Sequence, residues 1–277
     1  QGYINHGLFT KGIELLDRLE FSAQDDEYYE LHSSLTEALN EQSDSLLVHC
    51  TSLPASLQRM STRPCEEWTF YFANATLAYR LKDTALSESM FRKALAYADS
   101  TSELPIRIGG FYMQYSNFTA AIRLLQTTAH LYPSELRIPL FLGIAYSNLN
   151  LHQEAIPHLR NVLQIDSLNF DAWTQLGIAY DHLHYSDSSD SAYEHALQIN
   201  ATSPLVNNNY AYSLSVRQTK LPQALTMAQK AVQAQPHNPS YLDTFAWVHF
   251  QLGDYSTAVE YLEKAVNTSE PSATILE

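Results

Sequence analysis

The amino-acid sequence predicts an all-α protein, an α-solenoid of antiparallel helix pairs that repeat about every 34 residues. Three observations predict this fold class. Similar residues recur at an offset of 34 along much of the 277-residue chain. Within each repeat, small and apolar residues keep the three- and four-residue spacing of one helix face. The chain has only 8 glycines and 11 prolines, fewer than a β-sandwich or an α/β enzyme rich in tight turns would need.

The repeat is clearest between residues 139–166 and residues 172–200. At an offset of 34, the aligned pairs are Leu142 and Leu176, Gly143 and Gly177, Tyr146 and Tyr180, Leu159 and Tyr193, Val162 and Ala196, and Ile165 and Ile199. The same register reaches back to Gly109 and forward to Ala211 and, after one inserted residue, to Ala246. Small residues in this register predict places where two helix axes come close together.

This pattern resembles the tetratricopeptide repeat family, whose unit is a pair of antiparallel helices. The repeat at 170–203 carries the family residues Trp173, Leu176, Gly177, Tyr180, Tyr193 and Ala196, with Ser189 where the family has alanine. The resemblance implies a right-handed superhelix with a concave groove, because one repeat cannot bury both of its faces. The C-terminal repeats look most like bacterial arrays of this family, which often serve envelope or secretion machinery. The resemblance therefore favours the bacterial cell envelope or periplasm.

The repeat pattern divides the chain into three stretches. Residues 1–67 have helical spacing without the residues that define the family. We therefore expect divergent N-terminal helical repeats, of which the first begins part-way through its unit. Residues 68–272 carry five to six tetratricopeptide repeats in one continuous solenoid. Residues 273–277 read as the start of a truncated further repeat. Such uncapped ends would expose faces that normally stack, which predicts some self-association.

The resemblance also implies where a partner would bind, because the family groove is lined by the first helix of each repeat. Carrying the register over gives the predicted groove residues Arg107, Gln114, Asn148, Asp181, Asn208, Asn209, Tyr212, Asp243, Trp247 and Phe250. Less distinctive positions in the same register include Thr174, Ile178 and Ser215. An apolar groove with scattered polar groups suits an amphipathic helix or an extended peptide. The alternative is that an extra helix or a further repeat covers these residues.

The groove departs from the family members that bind a C-terminal carboxylate. Those members use several lysines, arginines and asparagines, whereas the matching positions here hold Arg107 and Asn208-Asn209 and no lysine. Binding of chaperone tails is therefore not expected. Side-chain amides in the run at 207–210 could bond a ligand's backbone. The alternative for part of this run is that Asn207 caps a helix.

Composition excludes several other functions. A net charge of −14 without a local basic cluster argues against nucleic-acid binding. No apolar run approaches the length of a membrane span, so direct membrane insertion is not expected. Cys50 and Cys65 have no metal-site spacing, and free thiols are favoured over a disulfide. The 11 histidines form no recognisable ligand motif, and no catalytic motif is present. We expect no metal, no cofactor and no catalytic residues.

The sequence therefore predicts a non-enzymatic scaffold for protein–protein interactions that binds a peptide or helix of a partner in its concave groove, as part of a bacterial assembly. One alternative is a recruiting or regulatory arm of a larger enzyme whose catalytic domain lies elsewhere. Another is a homo-oligomeric scaffold that stacks end to end through its terminal repeats.

Overall fold

The computed structural model describes residues 67–80, 82–97 and 101–268. Over these residues the chain forms twelve α-helices and no strand. The predicted all-α class is confirmed, as is the α-solenoid of antiparallel helix pairs. The predicted divergent repeats at 1–67 (apart from Glu67), both cysteines and the repeat start at 273–277 lie outside the described residues.

Contacts between residues divide the chain into two units, Gln1–Asn117 and Phe118–Glu277. The predicted division between residues 67 and 68 stays a prediction. The described helices of the first unit are α1 (Glu67–Arg80), α2 (Thr84–Tyr97) and α3 (Glu103–Gln114). Helices α1 and α2 pack as an antiparallel pair, and an aromatic cluster joins them to α3. In that cluster the ring centroids of Tyr79 and Phe111 are 5.2 Å apart.

The second unit contains nine described helices. They are α4 (Phe118–Ala129), α5 (Arg137–Asn148), α6 (His152–Ile165), α7 (Phe170–His182), α8 (Ser186–Ile199), α9 (Pro204–Val216), α10 (Leu221–Ala234), α11 (Pro239–Gln251) and α12 (Tyr255–Thr268). Each odd-numbered helix packs against the even-numbered helix that follows it, and each pair packs on the next. Successive first helices α5, α7, α9 and α11 also contact one another, whereas successive second helices make at most marginal contact. The first helices therefore form the inner layer of a curved stack.

Two helix pairs of the second unit, α5–α6 and α7–α8, cross at a glycine. A side chain at Gly177 would place its Cβ 2.5 Å from Cδ1 of Tyr193, and one at Gly143 would lie 2.5 Å from Cδ2 of Leu159. Tyr193 and Leu159 are themselves buried. Ser189, which replaces the usual alanine, is fully buried and donates a hydrogen bond of 3.1 Å from Oγ to the Gly177 carbonyl. This hydroxyl is therefore satisfied across the same crossing.

Asparagine and serine side chains cap the N-termini of several of the first helices. Asn169 accepts a hydrogen bond from the backbone N–H of Ala172 at 3.0 Å, and Asn238 accepts one from Ser240. Ser203 precedes α9 and accepts from the N–H of Val206. Because Ser203 is the cap, the alternative that Asn207 caps a helix is wrong. Asn207 instead lies inside α9, buried, and its Nδ2 donates to the carbonyl oxygens of Ala201 and Ser203.

Gly177→Ala tests the close crossing of α7 and α8. Alanine gains about 1 kcal/mol of helix propensity over glycine, but its methyl group would overlap a buried aromatic ring. Overpacking of this kind costs about 1–3 kcal/mol. We expect a net loss of stability in urea unfolding, and a smaller loss for Gly143→Ala because the leucine side chain opposite it is smaller than a tyrosine ring and needs less space to shift. Gln198→Ala, on the exposed face of α8, is the control. Equal midpoints for Gly177→Ala and the unsubstituted protein would contradict the assigned crossing.

Candidate functional site

A cavity of about 360 Å³ opens among the first helices α7, α9 and α11 of the second unit. Five of the ten predicted groove residues line it, namely Asp181, Asn208, Asn209, Tyr212 and Asp243. Its other walls come from the same three helices and from Tyr193 of α8, which also sits at the helix crossing. The cavity therefore depends on the packing that aligns these helices, and we call it the α7–α9–α11 cavity.

Two carboxylates face this cavity, one from its first helix and one from its last. Asp181 on α7 accepts a hydrogen bond from the hydroxyl of Ser213 on α9. Asp243 on α11 is exposed, and partial desolvation by its neighbours raises the pKa of its carboxyl above the usual value. Neither aspartate forms an ion pair within the described part of the chain. Arg217, which follows α9, comes close to Asp181 only through Ser213, whose Oγ accepts a hydrogen bond of 3.3 Å from the guanidinium. The carboxylates at the cavity are therefore not directly ion-paired within the described chain.

Asn208 lies between these carboxylates on the middle helix. Asn208 is only 7% exposed. Its Nδ2 donates to Oδ1 of Asn209 at 3.3 Å, whereas its own Oδ1 is buried without a hydrogen-bond partner among the described residues. Buried polar atoms are normally paired, so this oxygen is an acceptor without a donor.

Exposed aromatic residues continue the same surface towards the C-terminal end of α11. The rings of Trp247 and Phe250 stack with centroids 5.4 Å apart, and Phe250 also contacts Tyr255 at 5.4 Å. Trp247 is 38% exposed and Phe250 is 48% exposed. Because Asp243 and Trp247 are four residues apart, they share one helix face. We call Trp247, Phe250 and Tyr255 the aromatic ledge.

The histidine within this aromatic run has a packing role. His249 lies with its ring edge against Phe245, at a centroid distance of 4.5 Å. Its Nδ1 is 3.1 Å from Oδ2 of Asp254, the residue just before α12. His249 therefore joins α11 to the start of α12, with its side chain only 15% exposed.

The remaining predicted groove residues lie away from the cavity. Asn148 is exposed at the end of α5, where its Nδ2 donates to the carbonyl of Ile144 at 2.9 Å. Arg107 and Gln114 lie on α3 in the first unit. Arg107 forms an ion pair within that unit, with its Nε 3.0 Å from Oε1 of Glu103, and its guanidinium lies over the ring of Trp68.

Several cavity residues were not predicted from the sequence as site residues. His182, one of the histidines that belong to no ligand motif, lines the cavity, and its ring stacks on that of His152 with centroids 4.3 Å apart. Burial, and then the neighbouring His182, lower the pKa of His152. Thr244 and Ser240 also line the cavity. Their helix and register were available in the sequence, but short hydroxyl side chains carry no functional pattern.

The described residues contain neither a metal-binding group of side chains nor a membrane-spanning helix. No group of three or more histidine, cysteine, aspartate or glutamate side chains is placed to hold a metal ion. No helix there has both the length and the apolar character needed to cross a membrane.

Residues 153–274 match the family model described as the cytochrome c-type biogenesis protein H TPR domain. Among curated proteins, the BBSome complex member BBS4 of Xenopus tropicalis is 27% identical over 132 residues, which is 48% of this chain and 25% of that protein. A protein O-mannosyl-transferase of Caenorhabditis elegans, F38B6.6, is 31% identical over 96 residues, which is 35% of this chain and 14% of that protein. The chain therefore spans no more than about a quarter of these relatives.

Solved structures share the fold at low sequence identity. A tetratricopeptide repeat protein from Parabacteroides merdae has a TM-score of 0.61 at 15% identity, covering 75% of this chain and 82% of that one. MamA has a TM-score of 0.51 at 19% identity, covering 63% and 95% respectively. YrrB, described as a TPR protein with an unusual peptide-binding site, has a TM-score of 0.52 at 16% identity, covering 67% and 95% respectively.

Asp243→Asn tests whether the cavity wall disfavours a charge. Because folding raises the pKa of this carboxyl, the ionised form is less favourable in the folded chain than in the unfolded one. We expect the Asn variant to melt at a higher temperature at pH 7, with the difference vanishing as the pH falls and Asp243 becomes protonated. Asp171→Asn, exposed on the same inner layer of helices, should show no such rise. A lower melting temperature for Asp243→Asn at pH 7 would contradict the assignment.

Proposed function

We propose that this chain, a member of the tetratricopeptide repeat family, is a protein-interaction module that binds a peptide or helix of a partner protein on the inner layer of its first helices. The single observation that carries the proposal is the junction of the α7–α9–α11 cavity with the aromatic ledge. Together they place polar groups and exposed rings on neighbouring first helices. Protein interfaces concentrate their binding energy in such aromatic residues, and polar groups set the register of the partner.

The exposed rings support binding of a protein partner. Tyr212 on α9 is 47% exposed and borders the cavity, and Trp247 and Phe250 continue the surface on α11. Large aromatic side chains gain more from burial than most residues do. A partner that covers these rings while filling the cavity would bury apolar area and satisfy the buried amide at once. Asn148 would extend the same layer on α5. The roles of Arg107 and Gln114, which lie in the first unit, stay predictions.

The relatives support an interaction role. YrrB is described as carrying a peptide-binding site, so an array of this fold can carry one. The family model belongs to a cytochrome c-type biogenesis protein, and BBS4 is a member of a complex. These descriptions support a place in a protein assembly. A location in the bacterial cell envelope stays a prediction from the sequence. A recruiting arm of a larger enzyme is the alternative, which a catalytic domain in the full-length gene would favour.

Tyr212→Ala combined with Trp247→Ala tests the binding surface. Removing two central aromatic residues is expected to weaken partner binding at least tenfold, since such residues often contribute 2 kcal/mol or more each. The measurement is affinity capture from native lysate with quantitative identification of the bound proteins, alongside circular dichroism. Tyr185→Ala with Leu168→Ala removes exposed apolar side chains outside the cavity and the ledge, and is the matched control. Equal capture by both double variants would refute the assigned surface.

Helix α12 favours a second candidate, self-association through the C-terminal face. Val259, Leu262 and Val266 form a stripe at helical spacing and are 54%, 43% and 47% exposed. In a solenoid, a stripe of this kind is the face on which a further helix stacks, and a second copy of the chain could supply that helix.

Val259→Glu with Val266→Glu tests this second candidate. Charges in the stripe would have to be desolvated on stacking, so association should disappear in the variant. Sedimentation of the unsubstituted protein is expected to show mass increasing with concentration, and the variant should remain monomeric. A monomer at every concentration for both proteins would remove the stacking candidate and leave peptide binding untouched.

A further inference from the structure

The polar groups of the α7–α9–α11 cavity are mainly hydrogen-bond acceptors. Asp181 and Asp243 bring carboxylates to its walls, and no lysine or arginine of the described chain lines it. The nearby cations lie in the turn after α9 and pair with another carboxylate. Arg217 bonds Asp190 on α8, and Nζ of Lys220 is 3.5 Å from the same carboxylate. Arg217 also donates to Oγ of Ser213 at 3.3 Å, and Ser213 in turn donates to Asp181. Neither cavity aspartate has a direct ion pair in the described chain, so both can still pair with a cation from outside it.

The amide of Asn208 independently indicates that the cavity receives a hydrogen-bond donor. Its Oδ1 is buried and lacks a donor among the described residues, although the residue lines the cavity. Leaving a buried acceptor unpaired is unfavourable, because the atom has lost its water and gained no donor. The terminal torsion of asparagine is soft, and the bond that holds its Nδ2 to Asn209 is long at 3.3 Å. The amide can therefore turn to present its oxygen to an entering N–H group.

The size of the cavity matches a single long side chain. A volume of about 360 Å³ is at the lower end of the range for ligand pockets, which suits one long side chain better than a folded element. Tyr212 stands at the border with nearly half of its surface exposed. Its ring offers a face for a cation stacked above it.

We infer that the α7–α9–α11 cavity is the specificity pocket of the groove and binds one arginine side chain of the partner, held by the carboxylates of Asp181 and Asp243 and by Oδ1 of Asn208. The inference rests on the proposed function, because the arginine must belong to a bound peptide. Arginine is favoured over lysine since its planar fork of five N–H donors can bond several acceptors at once and stack on an aromatic ring.

Selection from a random peptide display library tests the pocket. Three proteins are compared: the unsubstituted chain, Asp181→Asn with Asp243→Asn, and the control Asp171→Asn with Glu263→Gln. The control pair removes the same charge from exposed positions outside the cavity. Asp→Asn is nearly isosteric, and melting curves establish that all three proteins are folded. The unsubstituted and control proteins are expected to select peptides with one position enriched in arginine about tenfold. The cavity variant should select peptides without that enrichment.

The outcomes separate the pocket from the proposed function. Peptides selected without arginine enrichment, or enrichment that persists in the cavity variant, would overturn the pocket and leave peptide binding standing. Equal enrichment of lysine would overturn the guanidinium assignment. If no protein selects any peptide, the proposed function fails, and the pocket with it.

A second measurement uses one selected peptide and the same peptide with its arginine replaced by citrulline, a neutral side chain of nearly the same shape. The exchange is expected to weaken binding to the unsubstituted chain about tenfold, in line with the loss of a charge-assisted hydrogen bond. On the cavity variant it should change binding less than about twofold, since the charges it would pair with are gone. An equal loss on both proteins would overturn the pairing with Asp181 and Asp243.

Discussion

The close crossing of the two helices in each pair is the constraint on which the second unit depends. Gly177 has no side chain because the ring of Tyr193 occupies that space, and Gly143 stands in the same relation to Leu159. Ser189 keeps the α7–α8 crossing tight and also satisfies its own hydroxyl there. The same Tyr193 then forms a wall of the cavity. A change at the crossing would therefore move the proposed binding surface as well as lower the stability.

The curvature of the stack follows from the same geometry. First helices contact one another and second helices scarcely do, so side chains of α7, α9 and α11 converge on one face. Convergence lets two carboxylates and an amide from three helices meet in one cavity. It also leaves room for the rings of Trp247 and Phe250, which stack on each other without becoming buried. Cavity and ledge thus divide the surface into a polar part and an apolar part.

The fold could be predicted from sequence because the repeat is carried by core residues, whose types are constrained by packing at every 34-residue step. The surface could be predicted less well. Asp181, Ser215 and Phe250 are equivalent in the register, yet Ser215 is fully buried and bonds the carbonyl of Tyr212. Register tells which side of a helix a residue occupies, whereas exposure depends on the neighbouring helix. Likewise, only the structure separates the cap Ser203 from the buried Asn207 four residues later.

Chemical-shift mapping of the isotope-labelled chain with a selected peptide tests the central claim most directly. The account predicts that the largest shifts fall on α7, α9 and α11, at residues of the cavity and the aromatic ledge, with little change on the outer second helices α8, α10 and α12. Intermolecular contacts from the peptide to Tyr212 and Trp247 would then place it on the inner layer. Shifts concentrated on the second helices, with the cavity residues unchanged, would contradict the account.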